Sequence, residues 1–320
     1  MQRYLARRLA VSVVVIFGVT LIAFASIQFI PADVVDIMLG LKSTPKAAAA
    51  LRHSLGLDQP VVTQYLSWLR EALHGDLGRS LRSDEPILNV LRQRLPVTVE
   101  LALLSTLLAG AIGIPAGIVA AVRRYGAADQ AATIISMLGL SIPDFWLATL
   151  LILVVSVAWK LLPPGGVLPG LLADPVGNLK RMAMPALSMG LPAAAVYFRI
   201  TRSSMLEVIC SDYMRTAYAK GLRERRAILG HALKNALIPV VTMSSLEISY
   251  MLGGSFIIET IFALPGLGRA TLEAIYERDF IMLQGCLLIY ALTVVLISIG
   301  LDVAYAWLDP RIRFDGGGES

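Results

Sequence analysis

The chain has few of the residues from which most catalytic and metal sites are built. It holds two cysteines and three histidines in 320 residues. Cys210 and Cys286 fall at or inside apolar stretches, which fits packing better than a disulfide or a thiolate metal site. His53, His74 and His231 lie far apart, so ordinary ligand spacing is missing and no metal site is expected. No Gly-x-x-x-x-Gly-Lys-Ser/Thr string occurs, so the chain carries no phosphate loop of its own. His-Glu-x-x-His and Gly-x-Ser-x-Gly are also missing, which removes two common hydrolase signatures. There is no Thr-Val-Gly-Tyr-Gly carbonyl filter of the potassium-channel kind. Charge is scarce too: 16% of residues are charged against 56% hydrophobic. That balance points to a polytopic membrane protein. The net charge of +5 could indicate nucleic acid, but no nucleic-acid motif appears. The cations instead gather beside apolar runs, as the positive-inside rule describes.

What the chain has in abundance is long apolar runs. Residues 9–30 follow Arg3, Arg7 and Arg8 and are long enough to span a bilayer core at about 1.5 Å per residue. The start also fits a signal peptide with Ala23-Phe24-Ala25 at a cleavage site, but the run continues past it to Ile30, which favours an uncleaved span. Further spans are expected over 97–122, 129–159 (with Pro143 and Asp144 inside), 183–200, 239–262 and 282–308. Pro239 would open the fifth at its first turn, where proline is tolerated. The fold class is therefore all-α, an integral membrane protein of six transmembrane helices with both termini cytoplasmic. Short segments on one side carry Arg123, Arg124, Arg199, Arg202, Arg215, Lys220, Arg223, Arg225, Arg226, Lys234, Arg311 and Arg313, and this asymmetry sets the orientation. In domain terms, residues 1–30 are the cytoplasmic N-terminus and first helix, and 31–96 an extracytoplasmic helical loop. Residues 97–308 form the core membrane domain, with a coupling loop at 204–238, and 309–320 form a cytoplasmic tail. A structureless excursion as long as 31–96 would be unusual, so a small helical cap is expected there.

Residues 211–239 form a charged island in this apolar chain. Asp212 can cap a short helix, Lys220 suits its negative end, and Gly221 suits a left-handed stop. Tyr213, Met214, Ala217 and Tyr218 would give that helix an apolar patch. So short a helix is marginal alone. On physical grounds the patch fits a docking partner and an anionic lipid surface equally well.

The order of motifs adds to this reading. Arg215-Thr216-Ala217-Tyr218-Ala219-Lys220-Gly221, followed by His231-Ala232-Leu233-Lys234-Asn235-Ala236-Leu237-Ile238-Pro239, resembles the coupling loop of ABC importer permeases, the dipeptide/oligopeptide/nickel branch in particular. Arg215 stands where the general form of that loop has Glu, and Arg223 where the branch often has Ser. Similar strings are Gly75-Asp76-Leu77-Gly78-Arg79-Ser80, Leu138-Gly139-Leu140-Ser141-Ile142-Pro143, Thr201-Arg202-Ser203-Ser204-Met205-Leu206-Glu207-Val208, Leu252-Gly253-Gly254-Ser255, Glu259-Thr260-Ile261-Phe262 and the closing Leu308-Asp309-Pro310-Arg311-Ile312-Arg313. Pro31-Ala32-Asp33 departs from the Gly-Asp-Pro usual after the first span.

The resemblance implies a multi-pass permease of the bacterial inner membrane that imports peptides delivered by an extracytoplasmic substrate-binding protein. It implies a second, related permease and two ATP-binding cassette ATPases, which bind ATP and Mg; no cofactor belongs to this chain. It makes 212–221 (Asp212, Tyr213, Met214, Arg215, Thr216, Ala217, Tyr218, Ala219, Lys220 and Gly221) the coupling site, with no catalytic residues. Nickel, glutathione or another small solute stands as alternative cargo, and a stand-alone channel or secondary carrier as the alternative of a different class. Acidic groups within spans are costly and face a path or a partner. Glu247 fits both roles; with Asp144 and Ser141 it is a candidate for the translocation path. Glu259 and Asp302 lie near span ends, where pairing with interface cations or helix capping is expected.

Overall fold

The computed structural model describes residues 2–28, 44–54 and 58–308. Pro31-Ala32-Asp33, residues 55–57 and the closing motif after Leu308 lie outside these residues, as does the side chain of Asp302. Among the described residues every regular element is helical, and one isolated bridge joins Arg79 to Pro86.

In chain order the helices are α1 (Gln2–Gln28), α2 (Pro45–Ser54), α3 (Val61–Leu73), α4 (Ile87–Val122), α5 (Ala127–Ser141) and α6 (Asp144–Leu151). They continue with α7 (Pro175–Ile209), α8 (Asp212–Ala219), α9 (Glu224–Ala227), α10 (Leu233–Ile261), α11 (Leu267–Glu277) and α12 (Phe280–Leu308). Two π-helical stretches, Ile152–Ala158 and Ile228–Ala232, extend α6 and lead into α10. Four helical stretches are long and apolar enough to cross a membrane: Ile87–Val122, Pro175–Ile209, Ile228–Ile261 and Phe280–Gly300. Ala127–Ser141 and Asp144–Ala158 make a fifth if taken as one broken span, bent by 97°. Ala10–Ala25 is a shorter apolar stretch of α1.

Several helix limits differ from the sequence expectation. The second apolar run is expected to open at residue 97, yet α4 begins at Ile87 and contains Pro96. Its first turns carry Asn89, Arg92, Gln93 and Arg94, and hydropathy alone reads such a polar prologue as loop. Likewise, Pro239 lies inside α10 and does not open it. An apolar helix tolerates an interior proline when local π adjustments and neighbours meet the freed carbonyls. Pro143, by contrast, coincides with a true break, because it ends α5 and precedes α6. Within the coupling loop expected over 204–238, α7 continues to Ile209, α8 covers Asp212–Ala219 and helix resumes at Glu224.

The chain divides into two compact units. One holds Gln2–Pro96 with Arg269–Leu296. In it α3 packs on α1 through aromatic rings: Tyr65 stands edge-on to Phe17 and Phe24, and its hydroxyl is 2.8 Å from Thr20 Oγ1. The Gly75–Ser80 string is also seated there. Ser80 Oγ donates to the buried carboxylate of Asp279 at 2.5 Å, and Gly78 has the positive φ of 83° that favours glycine.

The other unit holds Val97–Gly268 and the chain from Ile297 onward. Its centre is α7, packed by α5, α6 and α10. Against α4 the approach is closest at two glycines. A Cβ on Gly113 would stand 2.4 Å from the Ala194 carbonyl oxygen, and one on Gly117 would stand 2.7 Å from Thr201 Cβ. Small residues at that spacing let two membrane helices meet backbone to backbone.

Candidate functional site

The end of α7 is folded back by local hydrogen bonds. Ser211 Oγ donates to the Val208 carbonyl at 2.5 Å, and the Ser211 carbonyl accepts from the amides of Met214 and Arg215. Ser211 thus precedes α8, and Asp212 is the first helical residue and not the cap expected from sequence. Its carboxylate still sits at the positive end of the helix, 3.5 Å from Arg215 Nη1. Both side chains are solvent-exposed, so the pair adds little stability. At the other end Gly221 has φ 80°, and the Leu222 amide donates to the Ala217 carbonyl at 3.3 Å. A left-handed residue followed by that long-range amide bond is a Schellman stop. Leu222, just beyond it, packs against the apolar cluster below.

Met214 changes the picture drawn from sequence. It is fully buried (0% exposed) in a cluster with Ala121, Met205, Ala227, Ile228, Ala232 and Ala236. It therefore does not belong to an exposed patch. A helix of eight residues needs an anchor to persist, and one buried methionine contributes about 2 kcal/mol. Tyr213, next to it, is 43% exposed, and its hydroxyl accepts from Asn235 Nδ2 at 3.0 Å. Asp212, Arg215, Thr216, Ala219, Lys220 and Gly221 are exposed and Ala217 is half-buried. The side chains of Tyr218 and Arg225 lie outside the described residues. The free face thus combines one aromatic ring with one acidic and two basic side chains, flanked by exposed Arg223, Glu224 and Arg226.

Ser141 and Asp144 sit on either side of the 97° break. Ser141 Oγ donates to the Met137 carbonyl at 2.9 Å, and Asp144 Oδ1 accepts from the Phe145 amide at 3.0 Å. Both bonds are local, and the second satisfies an amide that the break leaves without a helical partner. Glu247 is elsewhere, half-buried on α10 near Ser244 and near Tyr197 of α7. Among the described residues no hydrogen bond or ion pair joins Glu247 to Ser141 or Asp144. Nor do three His, Cys, Asp or Glu side chains converge on a metal-sized site among those residues.

Three polar groups escaped the sequence reading. Asp129, at the start of α5, is buried and meets Arg202 of α7 in a two-point ion pair of 2.6 and 2.9 Å. In the sequence Arg202 reads as one of the inner-side cations and as part of a family-like string, with no partner named for it. Thr98 of α4 is buried; its hydroxyl donates to Glu259 Oε1 at 2.7 Å and accepts from the Leu267 amide at 2.8 Å. Ser255 Oγ adds a second bond to Glu259 Oε1 at 3.0 Å. Glu259 Oε1 thus takes two hydroxyl donors, which the sequence reading of cation pairing or helix capping does not name. Gly266 lies against the same carboxylate, where a Cβ would stand 2.3 Å from it. Glu100, third, is an acid within the apolar run of α4, and Asn178 Nδ2 reaches its Oε2 at 3.5 Å. Its charge inside an apolar run was the available signal.

Residues 113–314 match the family described as "Binding-protein-dependent transport system inner membrane component". Residues 1–102 match "Binding-prot-dependent transport system membrane comp, N-term". The chain is 38% identical to the dipeptide transport system permease protein DppB of Escherichia coli (strain K12), over 98% of this chain and 99% of that one. It is also 38% identical to the di/tripeptide transport system permease protein DppB of Pseudomonas aeruginosa (strain UCBPP-PA14), with the same coverage. A putative peptide transport system permease protein of Brucella abortus (strain 2308) is 38% identical over 98% of this chain and 100% of the relative. Among solved structures, a chain from inward-facing conformations of the MetNI methionine ABC transporter superposes with a TM-score of 0.58. It covers 70% of this chain and 99% of that one at 19% identity, a likeness of fold.

Proposed function

The chain belongs to the family of binding-protein-dependent transport system inner membrane components, and from that premise we propose that it is one of two permease subunits of an ATP-driven importer of peptides. Its relatives at 38% identity are peptide permeases along their whole length, which supports the cargo class. The chain is a multi-pass protein of the bacterial inner membrane and the permease subunit; the ATPase is a separate subunit. In our reading it has six spans and cytoplasmic termini, with 31–96 on the outer face where a binding protein delivers cargo. Two ATPases, which carry ATP and Mg, dock on the inner face. A second, related permease completes the path, and Ser141, Asp144 and Glu247 line it.

The observation that carries this reading is the construction of α8. Met214 roots the helix in the cluster shared with α7, while Tyr213, Arg215 and Thr216 are exposed at the surface. A rooted helix with an open aromatic and charged face is suited to receiving force from a partner and passing it to α7. ATP binding closes the ATPase pair, the pair displaces α8, and the spans exchange inward-open for outward-open states.

Two substitutions test it in the assembled complex. Gly221→Val forces a β-branched residue into the left-handed region and distorts the helix stop. Ala217→Asp places a carboxylate in the contact. Each is expected to lower ATPase co-purification about tenfold, equivalent to about 1.4 kcal/mol, and to lower peptide uptake with it, while membrane insertion is unchanged. Normal recruitment with normal uptake in both variants would reduce α8 to a lipid-facing connector.

A further inference from the structure

We propose that the Asp129–Arg202 ion pair is the positioning element that ties α7, and through it α8, to the bend between α5 and α6. The proposal rests on the reading of α8 as the ATPase contact and adds the route by which movement of α8 reaches the broken span.

The pair is built for fixed geometry. Arg202 Nε reaches Asp129 Oδ1 at 2.6 Å and one terminal nitrogen reaches Oδ2 at 2.9 Å, so the guanidinium and carboxylate lie fork to fork. The Tyr125 amide donates to Oδ2 at 3.0 Å, and the Arg124 guanidinium covers the Tyr125 ring at 4.6 Å. The Asp129 side chain is 4% exposed and that of Arg202 is 28% exposed. Apolar packing would join α5 to α7 equally firmly, because desolvation cancels much of what a buried ion pair gains. An apolar contact tolerates sliding, whereas a two-point ion pair holds one register.

Its position gives that register a use. Met205, less than one turn beyond Arg202 on α7, shares the buried cluster with Met214 of α8. Thr201, the residue before Arg202, is fully buried at the close approach to Gly117 of α4. On the other partner, α5 runs without interruption from Ala127 to Ser141 and then meets the 97° bend. A helix of that length is a rigid rod of about 22 Å. Ion pair, rod and bend make one connected path from α8 to Ser141 and Asp144. Coupling through such a path requires an element with two arrangements, and in the proposal that part falls to the bend at Pro143.

Spin-label distances in the reconstituted complex, with both permeases and both ATPases, test this without knowledge of the cargo. Labels replace Glu207 on α7 and Trp146 on α6, both exposed, with Cys210 and Cys286 changed to alanine. The 207–146 distance is read without nucleotide and with trapped ATP, together with ATPase co-purification and thermal stability. With the ion pair intact, ATP is expected to shift the distance. Asp129→Asn, whose amide oxygen still accepts from Tyr125, is expected to keep the ATPases bound and to lose at least half of the shift. The double variant Asp129→Asn with Arg202→Gln removes the stranded charge; it is expected to regain stability without regaining the shift. No ATP-dependent shift with the native pair, or a full shift in Asp129→Asn, overturns the proposal. So does a shift that returns with stability in the double variant, since that is the behaviour of a merely structural clamp. Failure of the docking reading is separate: Gly221→Val would then leave ATPase recruitment intact.

Discussion

Asp129 and Glu259 are buried carboxylates of the same compact unit, and their closest resolved donors differ in kind. Asp129 faces a guanidinium that takes both of its oxygens. Glu259 accepts from two hydroxyls, Thr98 and Ser255, and the Thr98 oxygen in turn receives the Leu267 amide. The first arrangement depends on charge: remove one partner and the other is left as a poorly solvated ion. The second depends on the order of donors and acceptors: Thr98 is useful because a hydroxyl donates and accepts at once. It links α4, α10 and the start of α11 through one oxygen.

This difference can be broken or sharpened by thermal unfolding of the detergent-purified complex. The largest effect is expected from Asp129→Ala. It leaves the part-exposed Arg202 without its carboxylate and should cost about 2–3 kcal/mol, below the scale for breaking a fully buried ion pair. Thr98→Val comes next. It keeps the shape, removes a donor and an acceptor together, and should cost about 1–2 kcal/mol, since hydrogen bonds between membrane helices are individually modest. If Thr98→Val proved as damaging as Asp129→Ala, the contrast between charge and hydroxyl satisfaction would collapse. Ser255→Ala should be the mildest, at about 0.5–1 kcal/mol. Its hydroxyl is already shared with the Leu252 carbonyl at 3.0 Å, so little is tied to Glu259 alone. A loss at Ser255 larger than that at Thr98 would move the centre of the network from α4 to α10.

The candidate site was legible in part. Gly221 could be read as a helix stop because few other residues sit easily at φ 80°, and Ser211 to Gly221 has the composition of a short capped helix. Met214 could not be assigned to the buried face. In a helix of eight residues the apolar positions 213, 214, 217 and 218 cover a wide arc, and which edge meets α7 depends on the turn at Cys210 and Ser211. Composition placed Tyr213 and Met214 in one patch; packing put the first at the surface and the second in the core. The 97° bend was half visible. Pro143 lay inside an expected span and marks a real break, whereas Pro239 was expected to open a span and instead lies inside a helix that runs on. A proline marks where a helix loses a bond, and its neighbours decide whether the helix bends.

By itself the sequence determined the membrane class and the spacing of the charged segments. It also determined the family, because long apolar runs, their flanking cations and an ordered set of motifs are written in one dimension. Tertiary structure alone decided which polar groups meet. Asp129 and Arg202 are separated by 73 positions, and Thr98 and Glu259 by 161. Each of these groups is unfavourable in an apolar setting, and each becomes tolerable only when another helix brings its partner at the right height and rotation. Those two quantities follow from helix packing, such as the close approach at Gly113 and Gly117, and no local pattern in the chain records them.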